Sequence, residues 1–406
     1  VEYAAKKGID VMPVVSTLGH AELFLQHPQL EGLAELRGDR QGRFGKAKLC
    51  FCPSKQETYD FIETYLQDLS EIFPFELFHA GCDEVWDIGY CDLCRSKADL
   101  PLGQSNIFAK HLVKTREILD KLGKRMVIWD DMFDTYPDSL KRIPNDIVLC
   151  NWQYNSDSSM PKAHFGNMAK EDKFSLYDQL GFDYLLSTGA RSSRNIDSFT
   201  NYAKDHNPLG GFVTTWEHSE SFLLGFYPNI AYAGELWYGL SKGHDVSSIE
   251  VKCLRDIFCD DKDLISTTSK ILNLIPLSKK TQAIQYLYGQ LTNREHELSL
   301  LLEVLKEKLS IHISKIAEDK NKPVYMILED MMVRLNEDII ILKLRKLLPK
   351  YFSQSSLCNR EDLKAELIGC IENINSVMKT KLEQWQELRP GIEAKRPMSW
   401  ELLQEN

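Results

Sequence analysis

Short apolar runs alternate with amphipathic stretches over the first 240 residues of the chain. Runs that are apolar at nearly every position are typical of parallel strands, which are covered on both faces of the sheet. The stretches between them repeat apolar residues at helical spacing. Residues 54–73 follow Pro53, a helix start signal, and residues 106–123 end at Gly123, a helix stop signal. The candidate strands are residues 8–15, 75–81, 125–131, 146–152, 182–188 and 210–216.

This alternation predicts an α/β fold, either a (β/α)8 TIM barrel or a doubly wound sheet. Nearly every candidate strand ends in side chains that can do chemistry, which is typical of a barrel. A doubly wound sheet collects such residues at one switch point, and the sequence has no GxGxxG motif or P-loop to mark one. We therefore predict a barrel whose first two strands lie upstream of Val1. The chain by itself is then expected to be poorly stable and inactive, because the sheet would have an open edge.

Long helical patterns replace the strands from about residue 241. Leu298, Leu302, Leu305 and Leu309 recur at spacings of three and four, which predicts one buried helix face. We expect two domains, a barrel over residues 1–240 and an all-helical C-terminal domain over residues 241–406. The apolar faces are most simply the core of that domain, and a homodimer seam is the alternative.

The charge balance argues against two classes of partner. The 406 residues carry a formal net charge of −10, and neither nucleic-acid phosphates nor anionic lipids attract an acidic surface. No apolar stretch reaches the length of a transmembrane helix. We therefore expect no nucleic acid and no membrane among the partners.

The cysteines form a CxC at Cys50 and Cys52 and a CxxC at Cys91 and Cys94. Two such pairs could in principle supply a four-thiolate zinc site. The uneven spacing favours unpaired thiols in a reducing compartment instead. No HxH or HExxH motif indicates a catalytic metal, so we expect neither a metal nor a cofactor.

The segment "FHAGCDEVWD" (78–87) presents Asp83 and Glu84 directly after an apolar strand. Successive side chains of a strand face opposite ways, so the two carboxylates can converge on one ligand only where the strand breaks into its loop. Gly81 and Cys82 permit that break. The alternative is a loop of solvated acids, but delivery to a barrel rim favours a functional pair.

Adjacent carboxylates suit a particular kind of glycoside cleavage. Ordinary glycosidases place two carboxyl groups on opposite sides of the scissile bond, which neighbouring residues cannot do well. A pair on one side suits a substrate-assisted reaction, in which Glu84 protonates the leaving oxygen and Asp83 holds a substrate group that attacks.

Aromatic residues at the other strand ends suit a sugar ligand. Trp129, Trp152, Tyr154 and Trp216 offer flat apolar faces with polar edges, which match a pyranose ring. Each one taken singly is more often a core residue. His20 and His79 are likewise more often core residues, but both are expected near the acid pair, where hydrogen bonds from them would help to set its protonation.

These residues resemble the retaining β-N-acetylhexosaminidases of glycoside hydrolase family 20. "FHAGCDEV" is similar to the family's strand-four motif, "GIDVMPVVSTLGHAE" to the preceding strand with its Gly-His pair, and "VIWDDM" to the end of strand five. The resemblance covers about residues 1–240 and is nearest to the hexosaminidase D-like branch. It implies a barrel that removes terminal β-linked N-acetylglucosamine or N-acetylgalactosamine from a glycan through an oxazolinium-like intermediate.

The resemblance also implies roles for single residues. Glu84 would be the general acid/base, and Asp83 would orient the 2-acetamido group. The pocket walls would be Trp129, Trp152 and Trp216, and the outer hydroxyls would bind Glu217 or Asp130. Three positions depart from the family pattern: Cys82 replaces a usual glycine, the sugar-binding arginine of the first strand is absent from this chain, and the acetamide-binding tyrosine has Tyr154 as its nearest candidate.

Two other readings remain open. A non-catalytic carbohydrate-binding barrel would keep the tryptophans, although binding alone needs no acid poised to donate a proton. A scaffold protein would use the helical tail as its functional surface, and its partner binding would survive Glu84→Gln. The thiol content and the hexosaminidase D-like branch favour the cytoplasm. We expect the natural start of the chain to lie upstream of Val1, so the compartment is not assigned from the N-terminus.

Overall fold

The structure is a computed structural model. It describes residues 1–42, 48–98, 102–164, 172–190, 192–215, 227–239, 246–272, 291–316, 323–353 and 357–388. Contacts between Cα atoms divide the chain into two compact units, Val1–Thr214 and Thr215–Asn406. The expected boundary between residues 240 and 241 lies outside the described residues.

A parallel sheet forms the centre of the first unit, and its strands run in chain order. Every neighbouring pair is parallel; Phe78 pairs with Met126, and Val127 pairs with Val148. Five of the six strands expected from the apolar runs are therefore confirmed. They are β1 (Leu77–His79), β2 (Arg125–Trp129), β3 (Val148–Gln153), β4 (Tyr184–Gly189) and β5 (Gly210–Thr214).

The remaining expected strand, residues 8–15, comes first in the chain and is reduced to a single parallel bridge between Val14 and His79. The Val15 amide donates to the His79 carbonyl at 2.8 Å, and the His79 amide donates to the Pro13 carbonyl at 3.0 Å. Pro13 has no amide hydrogen of its own, so it cannot extend a ladder as a donor. The prediction of a full strand here is wrong, but the segment does lie beside β1.

Helices follow the strands of the first unit, as in βαβ repeats. Two helices expected from the sequence are found at Gln56–Ile72 and Gly103–Lys121. In chain order the helices are α1 (Glu2–Ala5), α2 (Glu22–Leu25), α3 (Gln56–Ile72), α4 (Asp92–Ala98), α5 (Gly103–Lys121), α6 (Pro137–Leu140), α7 (Lys173–Leu180) and α8 (Ser193–Ala203), with 3-10 turns at Glu31–Leu33 and Asp131–Asp134.

The sheet buries both of its faces. Alternate residues of β2 and β3 form an inner apolar cluster, because every second side chain of a strand faces the same way; its buried members are Val127, Trp129, Val148 and Cys150. The other face is covered by helices, and Phe174 and Tyr177 of α7 are fully buried. Since the strands are parallel, their carboxyl ends meet at one edge.

Every secondary-structure element described in the second unit is a helix, and none of the described helices has the length and apolar character of a membrane span. The leucines at 298, 302, 305 and 309 are buried in one cluster. Glu295 and Arg345 form a buried ion pair between two of the helices. The helices are α9 (Tyr227–Trp237), α10 (Val246–Phe258), α11 (Lys262–Leu272), α12 (Asn293–Ile316), α13 (Pro323–Ser353) and α14 (Leu357–Leu388).

Candidate active site

The loop after β1 carries Asp83 and Glu84, and its backbone leaves the strand abruptly. Gly81, Cys82 and Glu84 all have positive φ angles, of 69°, 70° and 50°. Such angles are unfavourable for residues with a Cβ, so this loop stores backbone strain. A Cβ on Gly81 would lie 2.7 Å from the Val15 carbonyl oxygen, which leaves room for glycine alone. The turn places both carboxylates on the same side.

His20 joins the two carboxylates. Its Nε2 atom lies 3.3 Å from Oδ2 of Asp83 and 3.3 Å from Oε2 of Glu84. The backbone of His20 is also left-handed, with φ of 51°, and the next residue, Ala21, donates its amide to the Leu49 carbonyl. The structure therefore brings together three residues that the sequence placed in one site. His20 and Glu84 keep 45% and 41% of their side-chain surface exposed, so both remain accessible to a ligand.

The contacts of His20 change the protonation of this group. Hydrogen bonds with Asp83 and then Glu84 raise the pKa of His20 to about 10. The hydrogen bond from His20 lowers the pKa of Glu84 below its ordinary value. At neutral pH His20 is therefore an imidazolium and Glu84 a carboxylate, and the proton of the group resides on His20.

Asp131 contacts the acid pair, although the sequence analysis did not select it. Its Oδ2 accepts the backbone amide of Glu84 at 3.0 Å, and the Trp152 side chain lies close enough to affect its pKa. Burial, followed by the charge of Asp83, raises the pKa of Asp131 well above its ordinary value. Asp131 thus fixes the Glu84 backbone and connects Trp152 to the acid pair.

Asp130, which the sequence analysis selected as a hydroxyl ligand, lies in a different network. Its Oδ2 accepts hydrogen bonds from Asn151 and from the Tyr177 hydroxyl of α7. Burial raises its pKa to about 6. The alternation of side chains along the strand could have predicted this difference between Asp130 and Asp131. Because Trp129 lies on the inner face, residue 131 lies on the same face and residue 130 faces the helices.

His79 acts on the backbone of the loop instead of on the carboxylates. It is fully buried, and its Nδ1 accepts the Gly81 amide at 3.1 Å. Its ring packs against Trp129, with centroids 4.4 Å apart. Burial lowers the pKa of His79 to about 3, so it is neutral and stabilises the first left-handed residue of the turn.

The aromatic residues divide into an inner and an outer group. Trp129 is 3% exposed and packs between His79 and Phe212. Trp152 stacks on Tyr154, with centroids 5.0 Å apart, and on His164, with centroids 3.9 Å apart. His164, a further residue that the sequence analysis missed, is also close enough to Glu84 to affect its charge. Trp216 and Glu217 lie outside the described residues.

The assembled group can perform proton transfer beside a flat apolar surface. One imidazolium faces two carboxylates, one of which is accessible, and an aromatic stack adjoins them through Asp131. A carboxylate and its proton reservoir at hydrogen-bond distance can serve as a general acid and then as a general base.

Comparisons with known proteins agree on one family. The family model described as "Glycosyl hydrolase family 20, catalytic domain" matches residues 1–206. Hexosaminidase D of Bos taurus is 29% identical over 194 residues, covering 45% of this chain and 50% of the bovine protein. The subunit beta of human beta-hexosaminidase is 30% identical over 174 residues, covering 40% of this chain and 28% of the human protein.

Among solved structures, the GH20 exo beta-N-acetylglucosaminidase of Vibrio harveyi in complex with N-acetylglucosamine aligns with a TM-score of 0.47 and 16% identity, over 62% of this chain and 42% of that one. The chain spans half or less of the length of the bovine and human relatives.

Proposed function

This chain belongs to glycosyl hydrolase family 20, and we propose that it is an exo-acting, retaining β-N-acetylhexosaminidase. Its substrates are glycans or glycoconjugates that end in β-linked N-acetylglucosamine or N-acetylgalactosamine. The observation that carries the proposal is the convergence of His20, Asp83 and Glu84 on one accessible point.

The reaction is substrate-assisted. Asp83 accepts a hydrogen bond from the N–H of the 2-acetamido group and directs its carbonyl oxygen to the anomeric carbon. As that C–O bond forms, the bond to the leaving oxygen breaks, and Glu84 supplies a proton to the leaving group. Water then attacks the anomeric carbon of the oxazolinium-like intermediate, the bond between that carbon and the acetamido oxygen breaks, and Glu84 takes up a proton from the water.

His20 supplies the proton that this scheme requires. Glu84 is ionised in the free protein because His20 lowers its pKa. When the acetamide engages Asp83, the His20 imidazolium loses part of the charge that holds its proton. The proton then passes over the 3.3 Å contact to Oε2 of Glu84, which becomes the general acid.

The other residues that the sequence analysis selected are assigned to the sugar pocket. Trp152 offers its face to the sugar ring, Trp129 forms the floor, and Trp216 completes the wall. Glu217 binds the outer hydroxyls, and Tyr154, next to Trp152, hydrogen-bonds the acetamido oxygen. Asp130 is assigned a structural role instead, because it is buried against Asn151 and Tyr177.

The fold assignment belongs to the same proposal. We assign the five parallel strands and the segment at Val14 to a (β/α)8 barrel. The family match supports this assignment. We propose that the helices beyond residue 240 form a separate domain. The apolar face of Leu298, Leu302, Leu305 and Leu309 lies in a buried cluster of these helices, and a homodimer seam remains the alternative use of the other apolar positions.

The test is hydrolysis of an aryl β-N-acetylglucosaminide by the protein that contains this chain, compared with the aryl β-glucoside. We expect cleavage of the first substrate and none of the second, because only the first carries the internal nucleophile. On an alkyl β-N-acetylglucosaminide, whose leaving group needs a proton, Asp83→Asn and Glu84→Gln should each lower kcat by about 10²- to 10⁴-fold. Sugar binding without turnover in the wild type would favour the carbohydrate-binding barrel instead.

A further inference from the structure

A second cluster of reactive side chains lies apart from the acid pair. It consists of Glu35 and Cys52, which follow His20 in the chain, and of Cys91 and Cys94, which follow Glu84. All four residues are at most 1% exposed. One oxygen and three sulfur atoms lie within 4.8 Å of one another, which is close enough for a single ion to contact all of them.

The distances inside this cluster match a tetrahedral metal site. The sulfur of Cys52 lies 3.5 Å from that of Cys91 and 3.8 Å from that of Cys94, and the sulfur of Cys94 lies 3.2 Å from Oε2 of Glu35. Zinc–sulfur bonds of about 2.3 Å at tetrahedral angles place two sulfur ligands about 3.8 Å apart. A disulfide would instead require about 2.0 Å.

The surroundings support the ligands in the way that metal sites require. Oε1 of Glu35 accepts the backbone amides of Gly89 and Cys91, which leaves Oε2 directed at the sulfur atoms. The guanidinium of Arg37 donates to the Ala34 carbonyl and lies close enough to Cys52 and Cys91 for their charges to raise its pKa. Three thiolates and one carboxylate around a dication carry two negative charges in excess, and Arg37 offsets part of that charge.

We propose that Glu35, Cys52, Cys91 and Cys94 bind one structural Zn²⁺ ion. Thiolate ligands in tetrahedral geometry select zinc over hard cations such as magnesium or calcium. Four protein ligands close the coordination sphere, which is the property of a structural site and not of a catalytic one. The site takes the place of the unpaired thiols that the spacing of the cysteines favoured.

The position of the site gives it a role in the loop of the acid pair. Cys91 and Cys94 end the segment that follows Glu84, whereas Glu35 and Cys52 belong to the segment that follows His20. That second segment is tied to the histidine loop by the Phe51 amide, which donates to the Leu18 carbonyl. The ion therefore fastens together the two loops that face each other in the contact between His20 and Glu84.

The two cysteines of the CxC motif differ in their relation to the cluster. Cys52 is a ligand, whereas the thiol of Cys50 hydrogen-bonds the Phe51 carbonyl at 3.1 Å and is not part of the cluster. A four-thiolate site would use Cys50 instead of Glu35. Cys50→Ser is thus a matched control for Cys52→Ser, because both positions are buried and both changes replace sulfur by oxygen.

The experiment measures metal content and Co²⁺ absorption. The protein is purified under reducing conditions without a polyhistidine tag, equilibrated with zinc and desalted. We expect about one zinc per chain, retained in Cys50→Ser and lost at least tenfold in Cys52→Ser and Cys94→Ser. Replacement by Co²⁺ should give the near-ultraviolet thiolate-to-cobalt band in the wild type and in Cys50→Ser. Glu35→Gln should bind zinc more weakly and keep the band.

Three results would overturn the proposal. The first is a folded wild type that retains no zinc after this treatment. The second is a disulfide between two of the three ligand cysteines in the reduced preparation. The third is loss of zinc from Cys50→Ser to the same degree as from Cys52→Ser. None of these readouts depends on glycosidase activity, so failure here leaves the proposed function to be judged separately.

Discussion

Two pairs of adjacent carboxylates follow neighbouring strands, and the structure treats them in opposite ways. Asp83 and Glu84 follow β1 and face the partly exposed imidazole of His20, which lowers the pKa of Glu84. Asp130 and Asp131 follow β2 and are buried, which raises the pKa of each. Adjacent carboxyl side chains after neighbouring strands therefore form a reactive pair in one case and a structural pair in the other. Solvent access and one cation decide the difference.

The largest expected effect breaks the reactive pair. Glu84→Gln removes the proton donor while keeping the shape of the side chain, so kcat for an alkyl β-N-acetylglucosaminide should fall by about 10²- to 10⁴-fold. For a nitrophenyl leaving group, which departs without protonation, the loss in the first step should be much smaller. The measurement is kcat/KM across a series of leaving groups. An equal loss for all of them would show that Glu84 is not the general acid.

The structural pair should respond in stability and not in chemistry. Asp130→Ala removes the acceptor of two buried donors, on Asn151 and Tyr177, and should lower the free energy of unfolding by about 2–4 kcal/mol. Tyr177→Phe removes one of these donors together with its hydrogen bond and should cost less. Urea unfolding measures both variants. A folded Asp130→Ala protein with strongly reduced kcat would place Asp130 in the reactive group after all.

His20 gives the contrast a pH dependence. The raised pKa of His20, about 10, stabilises the fold fully below pH 6.5, and this contribution is lost as pH rises toward 10. The lowered pKa of Glu84 stabilises the fold above pH 4.5, and this stabilisation is lost as the pH falls through the pKa of Glu84 in the folded protein. The stability difference between wild type and His20→Gln should therefore be largest between about pH 4.5 and 6.5.

The same variant should move the alkaline limb of kcat/KM to lower pH, because the proton for the leaving group is then held by Glu84 itself and no longer by His20, whose pKa is about 10. His27→Gln, on a histidine outside this group, is the control and should leave both profiles unchanged. If the pH profile of kcat/KM were identical in His20→Gln and in the wild type, His20 would not be the proton source of Glu84.

The smallest expected effect concerns Asp131. Burial raises its pKa, so ionising it costs stability once the pH exceeds the ordinary value of 3.8. Asn cannot ionise and still offers an oxygen to the Glu84 amide. Asp131→Asn should therefore become progressively more stable than the wild type as the pH rises from 4 toward 7. A constant difference over this range would mean that Asp131 ionises as easily in the folded state as in the unfolded one.

The strands and the acid pair could be predicted from the sequence because both depend on local patterns. Five apolar runs became strands, and the Gly-Cys-Asp-Glu turn was expected where β1 ends. The role of Asp131 was also within reach, since it shares the inner face with Trp129. The contact of His20 with both carboxylates, in contrast, depends on how two loops pack.

The spacing of the cysteines could not identify Glu35 as the fourth ligand. Glu35 lies 56 residues from Cys91 and meets it only through the tertiary fold, so the cysteine motifs pointed to Cys50 as the fourth ligand. Pro13, in contrast, could have been weighed from the sequence alone, because proline has no amide hydrogen to donate to a strand ladder.

The measurement that tests the central claim most directly uses substrates whose acetamide is progressively fluorinated. Fluorine makes the carbonyl oxygen a poorer nucleophile while the leaving group stays the same. If Asp83 and Glu84 serve a substrate-assisted reaction, kcat/KM should fall steeply from acetyl to trifluoroacetyl, and the dependence should weaken in Asp83→Asn. A rate that does not change with fluorination would show that the acetamide is not the nucleophile, and would contradict the account.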